Sequence, residues 1–386
     1  MLNLHRVRAS LLAATGVLAL GLTAACGAPG ESKDAGSSDS GPIKIALVDA
    51  QSGQLSSLGK WEFKGAKLAV DEWNKAGGIN GRKIQLDVFD DQGDPTVGTN
   101  IARKISSQKY LAMLGTAESA VTIAMAPTLR QAEIPNITSG QSPGIVALQS
   151  PYVFLNSPTS TTYDETLAKY LVDQKKMKKI ALVTNNGAYG KGEHDAFLKA
   201  LTDRGIKPVA DEVVTADQKD FSAQLTKVRQ KGPEAVFLGA EEVESGLIVK
   251  QARDLGITAP FAGGAPQGTP VFRDTAGVKN VEGTIVSSPY LSNDTNDATK
   301  KFAAAYKAAY GENAELHGAK AYDGAQILLT ALKNSSVATG KKLADAIRAV
   351  RHPGLMGNFA YDETGVGIKA TTIGIVKNGE VVKAES

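Results

Sequence analysis

The sequence predicts an α/β protein of two doubly wound, parallel-sheet lobes that are joined by a three-strand hinge. Short apolar runs alternate with amphipathic segments, which is typical of strands buried on both faces and of the helices that cover them. This series ends near residue 158 and then starts again. A length of 386 residues also fits two hydrophobic cores better than one.

The first series of elements begins at Ile43. Strands are predicted at residues 43–48, 84–89, 110–114 and 134–137, and helices at residues 63–73, 97–105 and 120–132. Gly77 and Gly78 predict the end of the first helix. Asp94 followed by Pro95 predicts an N-cap for the second helix, and the calcium-loop spacing fails around these acids.

The second series begins with a predicted capping box, Thr162 with Glu165, before a helix that ends near Gln174. Strands follow at residues 179–184, 209–214, 235–238 and 281–287, and helices at residues 189–204, 221–230 and 243–255. Helices at residues 298–310, 319–332 and 343–350 and short strands around Phe359 and at residues 372–376 finish the chain. The three helices followed by terminal strands indicate that the chain crosses back to the first lobe.

The predicted domain boundaries follow from this return. Lobe 1 comprises residues 42–158 and 290–368, and lobe 2 comprises residues 159–289 and 369–386. The hinge is predicted near residues 157–161, 287–290 and 367–370. Ligands of open parallel sheets bind at the carboxyl ends of the strands, so both sheets can face one cleft.

The N-terminus predicts export and lipid anchoring. Residues 1–25 have a basic start and an apolar stretch too short to span a bilayer, which is the order of a secretory signal peptide. Small residues precede Cys26, the single cysteine, as in a bacterial lipobox, so Cys26 is the predicted lipidation site. Residues 26–41 form a polar tether. We therefore expect a lipid-anchored protein on the extracytoplasmic face of the cell membrane; the alternative is an ordinary cleaved signal with a chance cysteine.

Composition and motifs argue against other classes of function. The formal charge of +3 falls to +1 when the signal peptide, with Arg6 and Arg8, is removed, and so small a charge does not attract nucleic acid. The histidines stand alone, without the spacing of a metal site. No Gly-x-Ser-x-Gly motif or nucleotide loop is present. We predict no cofactor, no metal and no enzymatic activity.

Polar loops follow three of the predicted strands. Ser119 opens a helix, where free amide groups can hold a carboxylate or where the serine merely caps its own helix. Residues 138–142 are small and polar. Tyr189 begins a helix in the second lobe and could either contact a ligand or pack in the core. These loops are the candidate ligand site.

Several motifs in this order resemble a known family. They are Ala46-Leu-Val-Asp-Ala-Gln-Ser-Gly with Leu58-Gly59, Asn74-Lys-Ala-Gly-Gly-Ile-Asn-Gly-Arg82, Asp90-Asp91-Gln-Gly-Asp94-Pro95, Ile134-Pro-Asn-Ile-Thr138, Tyr189-Gly190, Phe302-x-x-x-Tyr306 with Tyr310-Gly311, and Ala321-Tyr322-Asp323. From Ile43 to its end the chain resembles the type I solute-binding proteins of branched-chain amino-acid ABC importers, the leucine-binding group. The resemblance implies a monomer that binds a branched-chain amino acid, or a related small carboxylate or amide solute, by hinge closure and delivers it to ABC permease subunits.

The resemblance also implies a set of ligand-binding residues. Ser119 and the amide of Ala120 would bind the ligand carboxylate, Gly140 would offer its backbone, and Ser142 a hydroxyl. Tyr189 would lie over the ligand.

Other positions depart from the family pattern. Leu58 replaces an aromatic residue, and Glu241 stands where another aromatic is expected. The acids that hold the ligand ammonium fall at Ser160 and at Ala265 or Pro266, while Glu118 adds an acid beside the carboxylate loop. A buried ammonium without an anion is costly. A zwitterionic amino acid therefore needs Glu241 or Glu118, or else the ligand is another small carboxylate or an amide-like solute.

Three rival functions remain open from the sequence. A sensor lipoprotein that reports ligand occupancy to a membrane receptor would have the same fold. A secreted hydrolase would need a nucleophile and a base, which the motifs do not offer. A structural surface lipoprotein would not close on any solute.

Overall fold

The structure is a computed structural model that describes residues 41–216 and 218–385. The predicted signal peptide, Cys26 and all of the predicted tether except Gly41 lie outside the described residues. Within the described ranges, no helix is both long and apolar enough to cross a membrane.

The first sheet has five parallel strands in the order β2-β1-β3-β4-β5. Its part of the chain contains β1 (Ile43–Asp49), α1 (Ser56–Lys75), β2 (Ile84–Asp90), α2 (Pro95–Ser107), β3 (Ala112–Leu114), α3 (Ser119–Gln131), β4 (Asn136–Thr138), α4 (Pro143–Ala147) and β5 (Val153–Leu155). The apolar run of β1 is almost completely buried, as a central parallel strand requires. The Asp94 carboxylate accepts hydrogen bonds from the amides of Thr96 and Val97, so the predicted N-cap of α2 is confirmed.

The second part of the chain forms another layer of helices and strands. It contains α5 (Ser160–Ala168), β6 (Ile180–Asn185), α6 (Ala188–Thr202), β7 (Ala210–Val214), α7 (Ser222–Gln230), β8 (Ala235–Gly239), α8 (Glu242–Asp254), β9 (Phe261–Gly263), α9 (Pro270–Ala276) and β10 (Ile285–Ser288). A π-helical stretch, Lys169–Gln174, continues α5, and a 3₁₀ turn, Pro266–Gly268, follows β9.

The last part of the chain serves both layers. It contains α10 (Asp297–Tyr310), α11 (Leu316–Asn334), α12 (Gly340–Ala349), β11 (Arg351–Gly354), β12 (Gly357–Ala360), β13 (Thr372–Lys377) and β14 (Glu380–Lys383). Helices α10, α11 and α12 share one apolar core with β1 and α1. Strands β13 and β14 instead join the second sheet, whose order is β14-β13-β10-β9-β8-β6-β7. We call the first sheet with its helices lobe 1 and the second sheet with its helices lobe 2.

The α/β class with two parallel-stranded layers is confirmed, and the structure differs from the sequence predictions in several details. Helices α4 and α9 were not predicted. The second sheet is mixed, because β13 is antiparallel to β10 and β14 is antiparallel to β13. The capping box at Thr162 is wrong: α5 begins at Ser160, so Thr162 lies inside the helix. Strands β5, β9, β11 and β14 were not predicted, since three or four residues are too few to show a period. The predicted lobe boundaries stay a prediction.

Candidate functional site

The loops after the strands of the two sheets meet in a narrow cleft. Lobe 1 contributes the loops after β3 and β4, and lobe 2 contributes those after β6, β8 and β9. Hydrogen bonds cross the cleft from Ser142 Oγ to the Ala188 carbonyl (3.1 Å), from Ser57 Oγ to Glu242 Oε1 (3.2 Å), from Lys219 Nζ to Gln54 Oε1 (2.7 Å) and from Gln141 Nε2 to Glu193 Oε1 (3.5 Å). These contacts describe lobes that are closed on each other.

An inner pocket lies between the closed lobes. Its volume is about 20 Å³, so a bound metabolite requires the lobes to separate slightly. Its walls include Leu58, Ala117, Ser119, Ser139, Gln141, Tyr189, Glu241, Glu242, Ala265, Pro266, His317 and Lys320. Five of these, Leu58, Ser119, Tyr189, Glu241 and Ala265, are residues that the sequence singled out.

Ser119 organises the lobe 1 side of this pocket. It is the first residue of α3 and is almost fully buried. Its Oγ accepts hydrogen bonds from the amides of Gln141 (3.3 Å) and Ser142 (3.2 Å), which holds the loop after β4 against the start of α3. The amides of the first helical turn have no intrahelical acceptor, and they carry the positive end of the helix dipole. This arrangement can bind a carboxylate.

The remaining predicted residues lie around the inner pocket. Glu118 and Ala120 line an adjoining outer pocket, which also includes Tyr189 and Glu241. Gly140, Ser142 and Ser160 line neither pocket in this closed form. The Gly140 amide donates to Thr138 Oγ1, and the Ser160 hydroxyl donates to the carbonyl of Gln141, so both residues support the loop after β4.

Three important side chains were not predicted. His317 and Lys320 line the inner pocket, together with Gln141 of the predicted loop at residues 138–142. Glu193 lines neither pocket and lies one helical turn after Tyr189 on α6. Lys320 is 1% exposed, and its ammonium group makes no salt bridge among the described residues. A lysine in an amphipathic segment predicts a solvated face, so the burial of Lys320 was not predictable from local pattern. The i, i+4 spacing from Tyr189 could have indicated Glu193.

Burial dominates the electrostatics of the cleft. It raises the pKa of Glu118 to about 8, and repulsion from Glu242 adds to this effect. It raises the pKa of Glu193 to about 7 against the opposing effect of the nearby Ser160 and Tyr189 hydroxyls and of Gln141. It lowers the pKa of Lys320 to about 8, although Glu62 and Glu315 favour its charged form. The closed cleft is therefore an environment in which isolated charges are costly.

Comparisons with known proteins identify the family. A family model described as a periplasmic binding protein matches residues 42–380. The chain belongs to the periplasmic binding protein family. The Leu/Ile/Val-binding protein BraC3 of Rhizobium johnstonii is 30% identical over 356 residues, which is 89% of this chain and 94% of that protein. The Leu/Ile/Val-binding protein of Escherichia coli K12 is 28% identical, with 84% and 87% of the two chains covered.

A solved structure is similar along the same region. It is the branched-chain amino-acid transporter substrate-binding protein LivJ of Streptococcus pneumoniae in complex with isoleucine, with a TM-score of 0.81 and 28% identity. The match covers 89% of this chain and all of that one. The resemblance to the leucine-binding group is thus confirmed.

In this periplasmic binding protein, one buried carboxyl lies between the two positions at which the resemblance implies acids. Glu193 is close enough to Ser160 for that hydroxyl to lower its pKa. On the other side, Glu193 Oε2 lies 3.4 Å from the position that a Cβ atom on Gly264 would occupy, next to Ala265. Glu193 Oε2 is buried and has no hydrogen-bond partner in the described part of the chain. The anion missing at Ser160 and Ala265 is therefore available from α6.

Proposed function

We propose that this chain is an extracytoplasmic solute-binding lipoprotein of an ABC importer that binds an amino acid, or a related small carboxylate or amide, between its lobes. The observation that carries the proposal is that Gln141 connects a helix N-terminus of lobe 1 with a buried carboxyl of lobe 2. The Gln141 amide donates to Ser119 Oγ at the start of α3, and its side chain donates to Glu193 Oε1. Amides and a carboxylate complement the two charged groups of an amino acid. The named ligands of the similar proteins, leucine, isoleucine and valine, support the same class of solute.

In the proposed complex, the ligand carboxylate accepts hydrogen bonds from the amides of Ser119 and Ala120. The ammonium group lies against Glu193, which then ionises, since an adjacent cation favours the charged form. Tyr189 covers the ligand with its ring, and its buried hydroxyl lies beside Glu193. The side chain of the ligand lies toward Leu58, Glu241 and Ala265.

Ligand binding and lobe closure are proposed to be one equilibrium. The lobes rotate about the segments near residues 157–161, 287–290 and 367–370, which are the predicted hinge. A ligand that contacts both lobes favours the closed form over the open form. The closed form is then recognised by the ABC permease, and the role is one of binding, without catalysis.

A panel of solutes tests this proposal by thermal shift. A ligand present at about one hundred times its Kd should increase the free energy of unfolding of the mature protein by about 2.7 kcal/mol. The panel contains amino acids, small carboxylates, amides and polyamines, and at least one amino acid should stabilise the protein. No stabilisation by any member of the panel would contradict the proposed class of ligand.

Two serine-to-alanine variants test the site. Ser119→Ala removes the acceptor for the amides of Gln141 and Ser142, so affinity for the identified ligand should fall about tenfold, as expected for about 1.4 kcal/mol. Ser107→Ala, at the exposed end of α2, is the matched control and should leave the affinity unchanged. Isothermal titration measures both, and equal affinities would exclude Ser119 from the site.

Lipid anchoring has a separate test. Cys26→Ser removes the thiol that would carry the diacylglycerol group, so most of the protein should move from the membrane fraction to the soluble extracytoplasmic fraction. Fractionation and mass spectrometry of the mature N-terminus measure this change. An unmodified cysteine in the wild-type protein would disprove the anchor while leaving solute binding intact.

A further inference from the structure

The cleft continues outward from the inner pocket. The outer pocket has a volume of about 330 Å³ and lies between the two lobes. Lobe 1 lines it with Glu118 and Ala120, and lobe 2 lines it with Asn185, Tyr189 and Glu241. Tyr189 and Glu241 belong to both pockets, so the two spaces adjoin. A solute anchored at the start of α3 can thus extend into the outer pocket.

The outer pocket is acidic. Glu118, Glu241 and Glu244 line it, and Lys219 is the one cation among its described lining residues. The Lys219 ammonium donates to Gln54 Oε1, and Glu244 accepts a hydrogen bond from Asn185 Nδ2. The two acids that lack such polar partners are Glu118 and Glu241, one from each lobe. Glu118 is 7% exposed, and its Oε1 has no partner in the part of the chain that the structure describes.

The surroundings of these two acids are themselves acidic. Besides burial, the strongest influences on Glu118 are Glu242, Asp91 and Glu62. Those on Glu241 are Glu118, Glu242, Glu244 and Glu193. The main influences on both groups are therefore carboxyls, and closure brings the two acids together from opposite lobes.

The inner pocket differs in this respect. Lys320 favours the charged forms of Glu62 and Glu193, and His317 favours that of Glu242. Of these three acids Glu242 alone lines the inner pocket, and all three have a basic neighbour within the protein. The outer pair, Glu118 and Glu241, has no comparable basic partner among its main influences. A buried carboxyl without a basic neighbour either takes up a proton, as the pKa of about 8 for Glu118 indicates, or pairs with an added cation.

We propose that the ligand supplies this charge: the solute is an amino acid with a cationic side chain, whose ammonium or guanidinium group binds between Glu118 and Glu241. This inference rests on the proposed function and specifies its ligand. The carboxylate binds at the start of α3, the α-ammonium at Glu193, and the side-chain cation in the outer pocket. Because Glu118 and Glu241 belong to different lobes, the cation links the lobes and stabilises the closed form.

Pairs of ligands of matched size test the proposal by isothermal titration. Lysine is compared with norleucine, and arginine with citrulline, since each pair differs chiefly in the side-chain charge. At least one cationic member should bind about 100-fold more tightly than its neutral partner. Equal affinities within both pairs, or tighter binding of the neutral members, would overturn the inference. If leucine binds tightly and neither lysine nor arginine binds, the inference is overturned but the proposed function stands. If no solute binds, both the inference and the proposed function are contradicted.

Two variants assign the effect to the acid pair. Glu118→Gln and Glu241→Gln should each reduce the preference for the charged member to less than tenfold, with affinity for the neutral member retained. Glu363→Gln, an exposed acid in lobe 1, is the control and should keep the full preference. Circular dichroism checks that each variant folds. An undiminished preference in both cleft variants would contradict the site.

A metal ion is the other source of positive charge. Calcium alone is therefore added as a separate arm of the titration. We expect no saturable binding, since a group of three or more His, Cys, Asp or Glu suited to a metal is absent from the described residues. Calcium binding that Glu118→Gln abolishes and that competes with lysine would overturn the amino-acid proposal.

Discussion

Gly65→Ala should destabilise the protein by about 3 kcal/mol, at the upper end of the range for overpacked cores. A Cβ atom on Gly65 would lie 2.0 Å from the carbonyl oxygen of Gly318 and 2.8 Å from its carbonyl carbon. Both atoms are backbone, so no side-chain rotation relieves the clash. The helix propensity of alanine favours the variant by about 1 kcal/mol, which is too little to offset the clash. The expected fall in Tm is roughly 5 °C.

Gly65→Ala should also change the positions of residues that line the cleft. Gly65 lies where α1 packs on α11, and Gly318 is adjacent to His317 and two residues before Lys320. Moving α11 away from α1 displaces both pocket residues. Urea unfolding measures stability, and Lys60→Ala, an exposed change on the same helix, should stay within about 0.5 kcal/mol of wild type. Equal stability of Gly65→Ala and wild type would show that the two helices separate without cost.

The fold was largely predictable because its long elements have clear periods. The apolar run of β1 and the helical pattern of α1 were sufficient to indicate buried parallel strands and covering helices. The short strands were not predictable in this way. Phe261–Gly263 is a strand because β8 and β10 lie on either side of it, and its three residues do not show this by themselves. Pairing with neighbouring strands thus makes this segment a strand, although its local sequence pattern does not indicate one.

The site was predictable where backbone chemistry determines it. Ser119 and Tyr189 follow strands and open helices, and those positions lie at the cleft whenever the sheets are parallel. The charged groups were harder to place. Lys320 comes from α11, far along the chain, and nothing local distinguishes it from a solvated lysine. Its burial depends on how α11 packs beside the cleft, which is a property of the assembled lobe.

Glu193 shows how a binding role can move between elements. The resemblance implies acids at Ser160 and near Ala265, and neither position has one. Their absence suggested that Glu118 or Glu241 replaces them. The structure places Glu193 beside those two positions, while Glu118 and Glu241 line the outer pocket, and Glu241 lines the inner pocket as well. The departures from the family pattern are therefore consistent with a ligand that keeps its α-ammonium group, bound at Glu193, and carries a second positive charge on its side chain.

The buried acids of the cleft should make the ligand-free protein less stable as the pH rises from about 5 to 8. Burial raises the pKa of Asp91 to about 6, of Glu193 to about 7 and of Glu118 to about 8, compared with ordinary values of 3.8 for Asp and 4.5 for Glu. The unfolded chain releases these protons at lower pH than the folded chain does. Stability is therefore highest below the ordinary values and is lost as the pH rises toward the raised ones.

Urea unfolding at pH 5, 6, 7 and 8 measures this loss, which should reach several kcal/mol because each unit of pKa shift corresponds to about 1.4 kcal/mol. Glu118→Gln removes a group whose pKa is raised to about 8, so its stability should fall less between pH 7 and 8, whereas the exposed control Glu363→Gln should follow the wild type. A saturating cationic ligand should flatten the curve, since a cation beside Glu118 favours its charged form. Constant stability of the ligand-free wild type across this range would mean that the carboxyls are solvated, and the cleft would then stand open without its ligand.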